Sequence, residues 1–161
     1  MSWSLHRVDD RLIHGQVVVA WGAALRPARL YVVDDQAAAS PWERDLLASG
    51  APDAEVRVLT VAEAAAAWEG EGNARGGAML VLRDLRTARA LVEAGAAVPA
   101  YTLGGLHYAP GKAKVAEYVY LDDADREDAR ALLRRGVKLE VQDVPATRPQ
   151  ALMALDPTVA P

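Results

Sequence analysis

A histidine that follows an arginine by three residues and precedes a glycine is suited to phosphoryl chemistry. The octapeptide Asp9-Asp10-Arg11-Leu12-Ile13-His14-Gly15-Gln16 contains that combination, where a strand-like stretch gives way to a helix-like one. A neutral imidazole is a fair nucleophile near neutral pH, because its unperturbed pKa is about 6.5. Phosphoryl transfer asks for positioning and for neutralisation of charge on the equatorial oxygens more than for covalent work by the protein. Arg11 offers a forked, permanently charged donor. The backbone amides of Gly15 and Gln16, at a helix start, offer more. The competing reading of His14 is an imidazole satisfied in an ordinary loop. Asp9 and Asp10 are suited to orienting Arg11 or to holding the imidazole tautomer. Helix-start capping is the plainer role, and the favoured one for Asp9. Neighbouring side chains of an extended segment point apart, so this pair is not read as a metal site.

A second string, Gly104-Gly105-Leu106-His107-Tyr108, lies far downstream. Its glycines permit a backbone approach that a side chain would block, and their amides could face a phosphate; the alternative is a tight turn. His107 is a candidate second titrating group, with a structural or surface histidine as the alternative. His6 sits in the first strand and is given no role. Asp34-Asp35 would meet a ribose in a dinucleotide-binding fold, but no Gly-x-Gly-x-x-Gly follows the first strand. Trp21, Trp42 and Trp68 fall on helix-like segments and are read as core or helix-face packing.

The elements that must hold these residues alternate between strand and helix. Strands are expected at Leu5–Val8, Arg29–Val33, Glu55–Leu59, Met79–Leu82, Ala100–Leu103, Glu117–Leu121 and Lys138–Val141. Between them lie helix-like runs. One covers Gly15–Leu25. Another opens at Ser40-Pro41-Trp42-Glu43, a serine cap with proline at the first position and glutamate three residues on. Thr60-Val61-Ala62-Glu63 is a capping box that opens an alanine-rich helix ending near Gly70. Asp84 caps Leu85–Ala94, and Asp122–Arg135 places acids first and arginines last, matching the helix dipole. Residues Glu69–Gly77 read as a polar loop. The pattern predicts an α/β fold: an open, mainly parallel sheet with helices on both faces. Such sheets bind ligands beyond the carboxyl ends of their strands, at a topological switch point, and the turns carrying His14 and Gly104-Gly105 lie on that edge.

Composition narrows the function classes. The chain has 161 residues, 52% of them hydrophobic, enough for one domain with one core. A single domain over 1–155 and a frayed tail over 156–161 are expected. The net charge of −4, with basic residues scattered among acidic ones, argues against nucleic acid as a partner. Without cysteine there are no disulfides and no thiolate metal sites. No stretch approaches the ~18 consecutive apolar residues of a spanning helix, and the amino terminus lacks a signal-peptide layout. The expectation is a cytoplasmic protein with no cofactor and no metal.

Asp9–Gln16, read with Arg7-Val8, resembles the signature of the IIB subunits of the mannose/fructose/sorbose class of the bacterial phosphotransferase system. Gly104-Gly105-Leu106-His107-Tyr108 is similar to that family's Gly-Gly-Met-His-Tyr string. The ending Gly136–Pro145 fits too, so the likeness runs from about residue 3 to 152. Leu106 departs from the usual methionine, Thr102-Leu103 from a common asparagine, and Ala37–Ser40 from a usual Asn-Asp. The resemblance implies that His14 is the phosphoryl acceptor and donor, through Nδ1, and that Arg11 binds the phosphoryl group. Asp10, Gly15, Gln16, Gly104, Gly105 and His107 would support the site. It implies a separate IIA protein as donor, membrane IIC and IID subunits and a sugar as later partners, and attachment to the inner membrane face through those subunits. A homo-oligomer is left open. The alternative within the same fold is a regulatory phosphoprotein that signals through protein contacts without transporting sugar.

Overall fold

The computed structural model describes residues 3–72 and 75–161. Strand β1 (Trp3–Asp9) lies at the centre of a seven-stranded sheet of order β3-β2-β4-β1-β5-β8-β9. The other strands are β2 (Arg29–Val33), β3 (Glu55–Leu59), β4 (Ala78–Leu82), β5 (Ala100–Gly105), β8 (Lys138–Val141) and β9 (Gln150–Ala151). Every pairing is parallel except β8 with β9. After β1 the chain crosses towards β2, and after β5 it crosses the other way towards β8. The switch point therefore falls between the carboxyl ends of β1 and β5.

Strand alternation sends successive side chains to two cores. On one face Val8, Leu80, Leu82 and Leu103 pack with α4 (Val61–Gly72), α5 (Leu85–Glu93) and α6 (Asp123–Arg134) through Trp68, Leu91 and Leu132. On the other, Leu30, Val32, Met79 and Val81 pack against Val17 and Trp21. Those two belong to a π-helical stretch, Gln16–Trp21, that continues into α1 (Gly22–Leu25). Helices thus cover both faces, as the alternation of elements requires.

The expected caps form as the side-chain chemistry dictates. Ser40 Oγ accepts from Glu43 N at the start of α3 (Pro41–Ser49). Thr60 and Glu63 cap reciprocally, and Asp84 accepts from Thr87 N. Asp122 and Asp125 form a further box at α6.

Four expectations are corrected. The strand expected over Glu117–Leu121 is half of a hairpin, β6 (Ala113–Ala116) with β7 (Val119–Leu121), in a separate two-stranded antiparallel sheet. The loop expected from Glu69 begins later, because α4 runs on to Gly72; residues 73 and 74 fall outside the described residues. The tail is docked rather than frayed: Asp156 accepts from Arg126 Nε at 2.8 Å and Val159 is fully buried. Trp42 is 72% exposed on α3 rather than packed, whereas Trp21 and Trp68 are buried. A short helix, α2 (Asp35–Ala38), and the closing α7 (Leu152–Leu155) were not expected from the sequence.

Candidate functional site

The site is built where β1 ends. Arg7 and Asp9 stand two residues apart on a strand and so share a face. Both are fully buried, and Arg7 Nη2 lies 3.2 Å from Asp9 Oδ2. Arg7 Nη1 donates to the Gln142 carbonyl at 3.0 Å, and its guanidinium lies 5.5 Å from the Trp21 ring centroid. Burial pulls the Arg7 guanidinium below its ordinary pKa, and Asp9 works in the opposite direction. An isolated buried charge is costly, so each of the pair depends on the other.

Beyond Asp9 the backbone turns sharply. Leu12 N donates to Asp9 O at 2.9 Å, and Leu12 adopts φ +56°, a left-handed conformation uncommon for a residue with a Cβ. Its side chain is buried among Val17, Trp21 and Val32. Tucking Leu12 into that core leaves Arg11, 48% exposed, facing outward and brings His14 back over the strand end.

His14 Nε2 lies 2.8 Å from Asp9 Oδ2, with 14% of the His14 side chain exposed. A carboxylate only accepts, so Nε2 carries the proton and Nδ1 holds the free lone pair. Arg11 N donates to Asp9 Oδ1 at 3.1 Å, and Arg11 Nε lies 4.0 Å from that oxygen. Asp9 therefore gathers Arg7, Arg11 and His14 around one carboxylate. Of the two roles open to Asp9 from sequence, the contacts fit orientation of Arg11 and the imidazole rather than the favoured helix cap, and Arg7 joins it as a partner that the sequence did not single out. The signal was available in the two-residue period of a strand.

Gly104 and Gly105 occupy the last positions of β5 rather than a loop. A Cβ on Gly104 would stand 1.9 Å from the Arg7 guanidinium, and one on Gly105 would stand 2.9 Å from Asp9 Oδ1. These glycines make room for the buried ion pair, which is a different close approach from the one expected. Gly15 is the opposite case. Its φ is −51° and an added Cβ would meet nothing within 4 Å, so the fold itself does not demand glycine there. Gln16 opens the π-helical stretch, and Val18 N donates to His14 O.

Asp10 turns to a different partner. Its Oδ2 accepts from His107 N at 2.8 Å and its Oδ1 from His107 Nδ1 at 2.7 Å, while Asp10 N donates to Gly105 O. Asp34 is engaged away from this pair, accepting from Arg83 at 2.7 Å. A groove of about 170 Å³ adjoins the site, lined by Asp10, Arg11, Arg83, Trp42 and Leu46, with Trp42 and Leu46 exposed. Among the described residues there is no cluster of three or more potential metal ligands.

A mainly parallel sheet with an imidazole, a buried carboxylate and two arginines at its switch point has the groups that phosphoryl transfer requires. Comparison with known proteins gives the family. The model of the sorbose-subfamily IIB component of the phosphotransferase system matches residues 3–158. The N-acetylgalactosamine-specific phosphotransferase enzyme IIB component 1 of Escherichia coli is 33% identical over 150 residues, 92% of this chain and 94% of that protein. The mannose-specific EIIAB component of Escherichia coli is 34% identical over 95% of this chain, which spans 47% of that longer protein. The crystal structure of the IIBSor domain of the sorbose permease from Klebsiella pneumoniae superposes with a TM-score of 0.86 at 27% identity, covering 96% of each chain. This chain belongs to the sorbose-subfamily IIB components of the sugar phosphotransferase system. It is a phosphotransferase that takes a phosphoryl group from a IIA component and passes it to a sugar.

Proposed function

We propose that His14 Nδ1 is the atom that carries the phosphoryl group. The observation that supports this is the 2.8 Å contact of His14 Nε2 with the buried Asp9, which leaves Nδ1 as the nucleophile. In the acceptance step the Nδ1 lone pair forms the new P–N bond as the bond from phosphorus to the donor histidine breaks. The ring gains positive character, and the Asp9 carboxylate stabilises it through the Nε2–H. Arg11, half exposed and anchored through its backbone on Asp9, closes on the equatorial oxygens. Gly15 and Gln16, directly after His14, would offer backbone amides, and the missing Cβ of Gly15 leaves space for the donor to approach. Arg7, Gly104 and Gly105 act one layer deeper by fixing Asp9.

The IIA donor would dock over the groove beside Arg11, where exposed Trp42 and Leu46 offer apolar surface of the kind that anchors interfaces. Transfer to sugar would follow on membrane IIC and IID subunits, holding this protein at the inner membrane face through them. No helix of the described residues is long and apolar enough to cross a membrane. The working unit is a single IIB domain over residues 1–155, with the terminal segment packed onto it.

The test is phosphorylation from phosphoenolpyruvate through enzyme I, HPr and a IIA donor. Wild type acquires an acid-labile, base-stable phosphate, which phosphorus NMR assigns to Nδ1. His14→Ala acquires none; label persisting in that variant would overturn the assignment.

A further inference from the structure

The two halves of this reaction make different demands on protons. When His14 accepts a phosphoryl group from another imidazole, one P–N bond replaces another and no proton need leave. When a sugar hydroxyl attacks the phosphorus, an O–P bond forms, the P–N bond breaks and the electron pair returns to Nδ1. The hydroxyl proton must then go to a base. His14 cannot take it at Nδ1, which still holds the phosphoryl group as attack begins, nor at Nε2, which already carries a proton for Asp9.

A second imidazole is prepared for that task. His107 Nδ1 donates to Asp10 Oδ1 at 2.7 Å, and its backbone N–H donates to Asp10 Oδ2 at 2.8 Å. Both carboxylate oxygens are used, which fixes the ring and its tautomer and leaves Nε2 as the lone-pair nitrogen. Nε2 has no hydrogen bond to any described residue, and 41% of the side chain is exposed. Asp10 follows Asp9 directly, so the carboxylates that orient the two imidazoles hang from Cα atoms about 3.8 Å apart. Both lie in the crevice between β1 and β5, since Asp10 N donates to the carbonyl of Gly105 and Asp9 packs on that same glycine. Tyr108, 67% exposed and edge-on to Tyr120 at 5.8 Å between centroids, follows His107 directly in the chain.

We infer that His107, held by Asp10, is the general base that takes the proton from the sugar hydroxyl as the phosphoryl group leaves His14. The inference rests on His14 being the carrier. As the proton arrives at Nε2 the ring becomes an imidazolium beside the Asp10 carboxylate, and exposure of the side chain lets it release the proton to water. His107 is thus a catalytic residue of the second half-reaction alone, and Asp10 is its positioning residue.

The test separates the half-reactions. Phosphorylated wild type, His107→Gln and Asp10→Asn are mixed with membranes bearing IIC and IID and with labelled mannose, sorbose, fructose or N-acetylgalactosamine, using the sugar that wild type phosphorylates. Acceptance from IIA is timed separately. His107→Gln is expected to lose about 10²- to 10⁴-fold in transfer, the usual worth of a positioned general base, and far less than that in acceptance. The pH dependence of transfer flattens in that variant, because the group that takes the proton is gone. Asp10→Asn loses less and keeps a pH-dependent limb. Unchanged transfer in His107→Gln overturns the inference. Equal losses in acceptance and transfer overturn it too, because they mark a structural or docking role. Wild type that is phosphorylated but delivers to none of the sugars overturns it as well. Absence of phosphate on wild-type His14 is a separate failure, that of the carrier assignment itself.

Discussion

Two histidine–aspartate pairs stand side by side at the mouth of the sheet, with nearly equal hydrogen bonds and different surroundings. His14 meets Asp9 at 2.8 Å, and that carboxylate is fully buried against Arg7. His107 meets Asp10 at 2.7 Å, and there the histidine is 41% and the aspartate 32% exposed. A contact distance alone therefore says little about what a pair does. In the buried pair the carboxylate is locked by a permanent cation and a close-packed strand, so it can stabilise a ring that turns positive. In the exposed pair water screens the charges, so the contact orients an imidazole that remains free to exchange protons with solvent.

Substitutions can break that contrast. Asp9→Asn removes the carboxylate that meets the buried Arg7, and should cost about 3–5 kcal/mol by urea unfolding, the range found when one partner of a buried pair is lost. Phosphoryl acceptance should fall with it. A loss below about 1 kcal/mol would mean that Arg7 finds water or another partner.

The third histidine supplies a further comparison, since among the described residues no carboxylate pairs with His6. It packs against Trp68 and Tyr101, and burial pushes its pKa down from 6.5 to about 4, with a backbone hydrogen bond at Ala100 opposing the shift. The unfolded chain then takes up this proton first as pH falls. The contribution of neutral His6 is intact above about pH 6.5 and is lost on the way down to about 4, roughly 3 kcal/mol in all. Urea midpoints of wild type and His6→Phe should therefore diverge across that window, with the wild type losing more; parallel curves would refute the shift.

Gly104→Ala tests the floor beneath the buried pair. The new methyl meets a guanidinium pinned by Asp9 and by the Gln142 carbonyl, so it cannot simply swing aside. The expected loss is about 1–3 kcal/mol, the range for overpacking, together with slower phosphoryl acceptance. Thermal unfolding and the acceptance rate both report it.

The smallest effects on stability belong to the exposed side of the comparison. Asp10→Asn should cost less than about 1 kcal/mol, as exposed pairs do, and any loss should shrink at high salt. Gly15→Ala should leave stability unchanged or raise it by up to about 1 kcal/mol, since the helix start gains alanine and no atom is in its way. Acceptance should nevertheless slow, because the methyl stands in the space left for the donor. Wild-type acceptance in this variant would remove Gly15 from the site.

Much of the architecture was legible before any coordinates. Capping residues at Ser40, Thr60, Asp84 and Asp122 declare helix starts through local hydrogen bonds, and these need only a few neighbouring residues. The apolar runs of β2 and β4 declare buried strands in the same way. Where the reading went astray, distant contacts decide. β6 pairs only with β7, and its sequence Ala-Lys-Val-Ala carries a weak strand signal. Val159 is buried because α6 lies where the tail can reach it, which no tail composition reveals.

The sequence by itself determined that His14 and Arg11 sit at a strand-to-helix turn, that the fold is a parallel sheet with helices on both faces, and which family the motifs belong to. The first two rest on local chemistry and on periodicity, and the third on the resemblance of the motifs. Only the tertiary structure decided which carboxylate meets which imidazole, and that Gly104 is small because Arg7 occupies the volume where its side chain would be. Asp9 and Asp10 are chemically identical neighbours, and their roles diverge because a strand end sends one into a low-dielectric core and the other towards His107 at the rim.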